Sequence, residues 1–205
     1  SQVAWLQADL HHYPLALEGY HFHTVIHTAP LWLLPGHIGT FARVGVKRII
    51  ALGSTSVLGK AGSVNGYEQA VVARLANAEE AVAAECREHG IAYTLLRPSL
   101  IYGVGLDHNI SAMARFIRRF GIFPLYGKGS GKRQPVHADD LACAILSMID
   151  NPVTYDKLYT LCGGETLSYY QMAARVFSAL GKRPVILRIP LLPVLLALYS
   201  ACTGN

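Results

Sequence analysis

The sequence predicts an α/β fold, a doubly wound parallel sheet, and two features carry that expectation. The first is the run from Lys47 to Gly103. An apolar strand, a hydroxyl-rich turn, a long helix and a second strand follow one another there into a Pro-Gly loop. That order makes a parallel βαβ unit. Its polar loops gather at the carboxyl ends of the strands, where open α/β sheets bind ligands. The second feature is that the candidate strands lack strict polar alternation, as strands covered on both faces do.

The elements follow in chain order. Residues 3–10 (Val-Ala-Trp-Leu-Gln-Ala-Asp-Leu) suit a strand ending in a polar turn, residues 11–19 a short helix, and residues 24–29 a second strand. Residues 37–44 suit a helix closed by Gly45. Residues 47–53 form the next strand, and 68–89, rich in Ala, Glu, Arg and Val and stopped by Gly90, a long helix. Residues 91–96 are a strand and 109–120 a helix stopped by Gly121. Residues 139–150 suit a helix whose first turn carries Asp139 and Asp140, matching the helix dipole. A short strand at 158–161, a Gly163-Gly164 turn and a helix at 168–180 with Ser168 as its N-cap complete the pattern. A shift toward short elements divides residues 1–103 from 104–205, and suggests a smaller substrate-binding region in the second part, with elements that can interleave with the first.

With 205 residues, 52% of them apolar, the chain can bury one full core. Eighteen Lys and Arg against 13 Asp and Glu give a formal charge of +5. Without a polybasic run, that excess does not call for nucleic acid, and small phosphate-bearing ligands account for it equally well. Cys86, Cys143, Cys162 and Cys202 show no C-x-x-C pair or metal spacing, so reduced thiols packed as small hydrophobes are expected. No signal peptide precedes the first strand, and a cytoplasmic location is expected. The apolar run at 189–201 contains Pro190 and Pro193 and is too short to span a bilayer, so a buried or interfacial helix is expected there and no transmembrane span. His11, His12, His21, His23 and His27 divide between loop and strand without cysteines or carboxylates, and no metal site is expected.

Four motifs carry chemistry. Ser54-Thr55-Ser56-Val57-Leu58-Gly59 follows one strand and Arg97-Pro98-Ser99-Leu100-Ile101-Tyr102-Gly103 follows the next. Asn109 opens a helix, and Arg133 precedes Gln134-Pro135-Val136-His137-Ala138-Asp139-Asp140-Leu141. Together they resemble the extended short-chain dehydrogenase/reductases, in particular the NAD-dependent epimerase/dehydratase branch. The resemblance implies a Rossmann-like fold whose first βαβ portion, with its G-x-x-G-x-x-G turn, is absent from this chain. It implies NAD or NADP as cofactor, contacted by Asp9 and Leu10 at the adenine, by Thr28, Ala29 and Pro30, and by Arg97, Pro98 and Ser99 near the nicotinamide. Without a glycine turn and helix N-terminus for the pyrophosphate, binding by this chain is expected to be impaired.

Ser54 takes the position of the catalytic serine, or else satisfies its own turn. The family's Tyr-x-x-x-Lys pair, in which an ammonium lowers the phenol pKa for acid–base work, falls on Val71 and Leu75. Tyr67 is the nearest phenol, with Arg74 as its only candidate cation. On the substrate side, Asn109 and Arg133 take the positions of groups that hold a sugar-nucleotide diphosphate, a task that suits a guanidinium fork. Arg133 is equally a solvated charge beside Lys128 and Lys132, and Asp140 a first-turn acid. Arg115, Arg118 and Arg119 form a solvated face or neighbour a phosphate. The resemblance thus implies an NAD(P)-dependent nucleotide-sugar epimerase/dehydratase-like protein whose partner is a nucleotide sugar or other small phosphorylated ligand. The alternative is a non-catalytic scaffold or nucleotide sensor. The apolar edge left by the missing strands is expected to be covered in a homo-oligomer.

Overall fold

The computed structural model describes residues 3–59 and 64–189. In chain order the elements are β1 (Thr24–His27), α1 (Ile38–Arg43), β2 (Arg48–Leu52), α2 (Ser56–Gly59), α3 (Gly66–Glu88), β3 (Ala92–Pro98) and β4 (Ile101–Tyr102). There follow α4 (Ile110–Phe120), β5 (Phe123–Tyr126), β6 (Lys132–Arg133), β7 (Val136–His137), α5 (Ala138–Met148), β8 (Lys157–Leu161), β9 (Leu167–Ser168), α6 (Tyr169–Ala179) and β10 (Ile186–Ile189). The chain forms two compact units, residues 1–99 with 140–161, and residues 100–139 with 162–205. The interleaving comes from α5 and β8, which return to the first unit.

The first unit is a four-stranded parallel sheet in the order β1-β2-β3-β8, with Ile26 opposite Ile50, Ile50 opposite Thr94, and Thr94 opposite Lys157. It is an α/β parallel sheet, as the sequence predicts. Ile49, Ala51 and Leu95 pack with Ile38 and Phe41 of α1 and Leu75, Ala78, Val82 and Cys86 of α3. α3 starts where Asn65 caps it, its side chain accepting from the backbone N–H of Tyr67 at 3.0 Å and Glu68 at 3.4 Å.

The opposite face of the sheet carries Arg48, whose side chain is only 1% exposed. Its guanidinium donates to Thr94 Oγ1 at 2.6 Å, Thr154 Oγ1 at 3.1 Å and the Met148 carbonyl at 3.1 Å, and lies 4.5 Å from the Tyr155 ring. Met148 is the last residue of α5, so a buried cation meets the negative end of that helix. Burial lowers the Arg48 pKa, opposed by Tyr155 and Asp156. One side chain thereby ties β2, β3 and the end of α5 together.

The second unit is built from small pieces. β5 pairs with β10 and β4 with β7, both parallel, and β6 pairs with β9 antiparallel. Met113 and Ile117 of α4 pack with Met172, Ala173, Val176 and Phe177 of α6. α6 opens with a capping box, in which Ser168 accepts from the Gln171 N–H while Gln171 reaches back to the Ser168 N–H.

Three expectations fail. Residues 3–10 form no strand: Val3 is 75% and Trp5 91% exposed, and among the described residues β1 pairs only with β2. A strand is stable only in a ladder, and apolar content alone supplies none. Residues 11–19 are turns rather than a helix, because Pro14 has no N–H to donate and blocks the preceding turn. Cys86 is buried as expected, its thiol pushed up to about 12 by burial, but Cys143 and Cys162 are exposed. The apolar run beyond Ile189 lies outside the described residues.

Replacing Arg48 by Ala is expected to destabilise the chain by about 3 kcal/mol or more, since Thr94, Thr154 and the α5 terminus all lose a buried partner. Arg48→Met, which keeps volume without charge, is expected to cost less. Urea unfolding of both variants checks the order, and equal losses would contradict it.

Candidate functional site

In the first unit the carboxyl ends of β1, β2 and β3 present the loops singled out by sequence. After β1, His27 bonds the Pro30 carbonyl through Nε2 at 3.3 Å, which folds Thr28-Ala29-Pro30 back over the strand end. Burial lowers the His27 pKa, so this ring is held neutral. After β2, the Gly53 N–H donates to the Leu96 carbonyl at 2.7 Å and the Thr55 N–H to the Pro98 carbonyl at 3.1 Å, closing the turn onto β3. The Ser54 hydroxyl accepts from the Ser56 N–H at 3.1 Å and donates to Ser56 Oγ at 3.0 Å. It is thus engaged within its own turn. The Ser99 N–H donates to the Leu161 carbonyl at 2.9 Å, and Pro98 is buried.

Arg97, expected beside the cofactor, is engaged by α3. Its Nε and a terminal nitrogen donate to the two oxygens of Glu79 at 2.8 and 2.5 Å, and both side chains are largely buried. The Glu79 hydrogen bonds raise the Arg97 pKa, against a smaller effect of burial. Gly53 makes room for this pair, since a Cβ there would stand 3.2 Å from Glu79 Oε1.

Two turns of helix separate Glu79 from Val71, with Leu75 between them, so the three share one face of α3. Leu75 is 6% exposed and lies in the core cluster, and Val71 packs against that cluster. Tyr67 stands in the first turn, 78% exposed, and the Arg74 guanidinium lies over the Trp32 ring at 4.3 Å. The helix therefore begins ahead of Tyr67, and the nearby cation is spent on an indole.

Asp9 and Leu10 sit in a turn rather than at a strand end. Asp9 accepts from the His11 N–H at 2.9 Å, which lowers its pKa, and its other oxygen is 3.3 Å from His12 Nδ1. The Leu10 carbonyl accepts from Nε2 of the fully buried His37 at 3.0 Å. Among the described residues no group of three His, Cys, Asp or Glu side chains could hold a metal ion.

The second unit holds a cavity of about 380 Å³, lined mainly by Tyr102, Ile110, Pro135, Leu167, Met172 and Val176. At its edge Arg175 pairs with Glu165 at 2.8 Å. Asn109 and Arg133 each stand within two residues of a lining position. Asn109 precedes α4 but makes no capping bond, and Arg133 donates only to the Lys132 carbonyl among the described residues, at 2.8 Å. Two glycines shape this region. A Cβ on Gly103, at φ +128°, would come within 2.8 Å of the His137 ring, and one on Gly163 would collide with the Pro135 carbonyl.

The residue that sequence reasoning missed is Asp107. Its Oδ1 accepts from the N–H groups of Ser111 at 2.9 Å and Asn109 at 3.0 Å, and its Oδ2 accepts from the Ser111 hydroxyl and the Gly103 N–H. Asp107 therefore performs the capping left undone by Asn109, and joins β4 to α4. Burial would raise its pKa, yet the bonds from Ser111, Gly103 and Asn109 outweigh burial and hold it at about 2. An acid three residues ahead of a helix and four ahead of Ser111 is a signal the sequence did contain.

Because the folded carboxyl lies below its ordinary value of 3.8, its stabilisation is complete above that pH and fades as pH falls toward 2. Asp107→Ala is expected to cost about 1–2 kcal/mol at neutral pH. The gap between variant and parent should close in acid, as followed by urea unfolding across a pH series. A gap that does not change with pH would contradict this.

Comparison with known proteins places this geometry. The model of the NAD dependent epimerase/dehydratase family matches residues 38–162. UDP-glucose 4-epimerase of Vibrio cholerae is 24% identical over 156 residues, 72% of this chain and 48% of that protein. NADH dehydrogenase [ubiquinone] 1 alpha subcomplex subunit 9, mitochondrial, of Arabidopsis thaliana is 29% identical over 98 residues, 47% of this chain and 24% of that protein. The chain thus spans half or less of the length of these relatives. Among solved structures, MoeE5 in complex with UDP-glucose and NAD superimposes with a TM-score of 0.73 at 20% identity, covering 90% of this chain and 71% of that one. UDP-N-acetylglucosamine 4-epimerase from Methanobrevibacter ruminantium gives 0.71 at 17% identity, covering 90% and 69%. With the family model matching more than half of its residues, the chain belongs to the NAD-dependent epimerase/dehydratase family.

Proposed function

We propose that this chain is a non-catalytic member of its family, one that holds a phosphorylated ligand such as a nucleotide sugar without transforming it. The observation that carries this reading is the packing of Val71 and Leu75 on the inner face of α3. Proton transfer in this family rests on a phenol whose pKa an ammonium lowers. Two aliphatic side chains in a core offer neither group, Tyr67 is exposed and Arg74 lies over the Trp32 ring. The Ser54 hydroxyl keeps the position of a catalytic group while serving its turn.

What remains suits binding. NAD or NADP would lie over the loops at the carboxyl ends of β1, β2 and β3, at Thr28-Ala29-Pro30, Ser54 and Pro98-Ser99. In the second unit Asn109 and Arg133 would take a diphosphate, with the cavity beside them receiving the apolar face of the ligand. Matches to two proteins named as subunits of NADH dehydrogenase support a place within a larger assembly, where a bound ligand stabilises rather than reacts. The outer edge of β1, unpaired among the described residues, supports association with a second chain.

Uridine diphosphate and UDP-glucose are expected to protect residues 109–141 from hydrogen exchange. Arg133→Ala should weaken binding about tenfold or more, because a charge-assisted bond to phosphate is lost, and Arg133→Lys should weaken it less. Unchanged exchange with both ligands would remove the binding half of the proposal and leave a scaffold alone.

A further inference from the structure

We propose that the second unit docks on an anionic lipid bilayer, through the outer face of α4 and the loop before it. Charge is divided sharply between the two units. The second carries 10 Lys and Arg against 3 Asp and Glu, a net +7, whereas the first carries 8 against 10, a net −2. Such asymmetry within one chain points to a polyanionic partner for the basic part.

The few acids do not neutralise it. Asp107 is consumed by α4, Glu165 by Arg175, and Asp139 lies 3.6 Å from His137. Arg118 and Arg119 have no acidic partner among the described residues. Lys182 adds its ammonium at the same helix end, 3.2 Å from the carbonyls of Ile117 and Arg118.

Apolar groups are set among these cations. Met113 and Ile117 fix the inner face of α4 in the core, so the opposite side must face outward. That side carries Arg115, Arg118 and Arg119, and Phe116 and Phe120 lie on its flank toward the core, 36% and 54% exposed, their rings 4.6 Å apart, with Phe116 edge-on to Phe123 and the Arg119 guanidinium 5.4 Å from the Phe120 ring. Arg115 bonds the Gly105 carbonyl at 2.9 Å, which ties the preceding loop to this face. That loop exposes Leu106 at 81% and Val104 at 76%.

Arginines on the outer side of a helix, phenylalanines on its flank and aliphatic side chains alongside are what an interfacial helix presents to headgroups and acyl chains. A nucleic acid would reward the cations and could stack on the rings, but Leu106 and Val104 have nothing to offer it. This inference does not depend on whether the chain transforms or merely holds its ligand.

The test is co-sedimentation of the full chain with two kinds of vesicle. One is phosphatidylcholine alone, and the other is one part phosphatidylglycerol to two parts phosphatidylcholine. Each basic residue near the surface is expected to add about fivefold to partition, so the anionic vesicles should win by at least about tenfold at low salt. Arg118→Glu/Arg119→Glu should abolish the preference, and the milder Arg118→Gln/Arg119→Gln should reduce it if the reversal fails to fold. Phe120→Ser, at an exposed position, should weaken binding while leaving the salt dependence in place. Equal partition to both vesicles would overturn the proposal, as would binding unaffected by either class of variant. An oligonucleotide bound through the arginines with no contribution from Phe120 and no vesicle preference would overturn it in favour of nucleic acid.

Discussion

The Glu79 carboxylate and the Arg97 guanidinium, joined by two short bonds under a glycine, hold α3 against the end of β3. Both are largely buried, so neither can be removed without leaving the other uncompensated, which is worth several kcal/mol in such pairs. The pair fixes the rotation of α3 about its axis. With Glu79 directed at the sheet, Leu75 and Val71 follow at one and two turns on the same side, and the core receives them. On the proposed reading, the face of the helix that would present acid–base chemistry packs as hydrocarbon. That one constraint joins the stability of the fold to the reading of its function.

Much of the architecture was legible because it rests on local signals. Apolar strands at β2 and β3, an alanine- and glutamate-rich helix between them, and glycines at Gly45, Gly90 and Gly121 marked the βαβ core. All three glycines adopt the positive φ that a helix stop requires. What stayed hidden depends on partners distant in sequence. Arg97 and Glu79 are 18 residues apart, and nothing local says that the arginine turns to α3 rather than to a ligand. Arg48 reads as an ordinary strand-start cation, yet it is enclosed by groups 46 to 106 residues away. Residues 3–10 failed for the converse reason. Their composition suits a strand, but a ladder needs a neighbour that local composition cannot reveal.

The candidate site divides the same way. Val71 and Leu75 were assigned by the family resemblance, and both pack as apolar side chains of α3 against the core. Asn109 and Arg133 were identified by motif, each stands within two residues of a position lining the cavity, and among the described residues neither side chain has an acidic partner. Asp107 was overlooked although it does more than either to build the region, since four bonds converge on one carboxylate between β4 and α4. The second unit therefore spends its few acids on internal order, and its many cations remain for what it meets outside.

The central claim is that the fold survives here without its proton-transfer chemistry. It is tested most directly by incubating the protein with UDP-glucose and NAD and following the sugar by NMR. The account predicts unchanged UDP-glucose and no NADH after prolonged incubation at high protein concentration. Epimerised or oxidised sugar formed at a rate near that of ordinary enzymes, on the order of 1 s⁻¹ or more, would contradict it and require a proton-transfer group other than Val71 and Leu75 could supply.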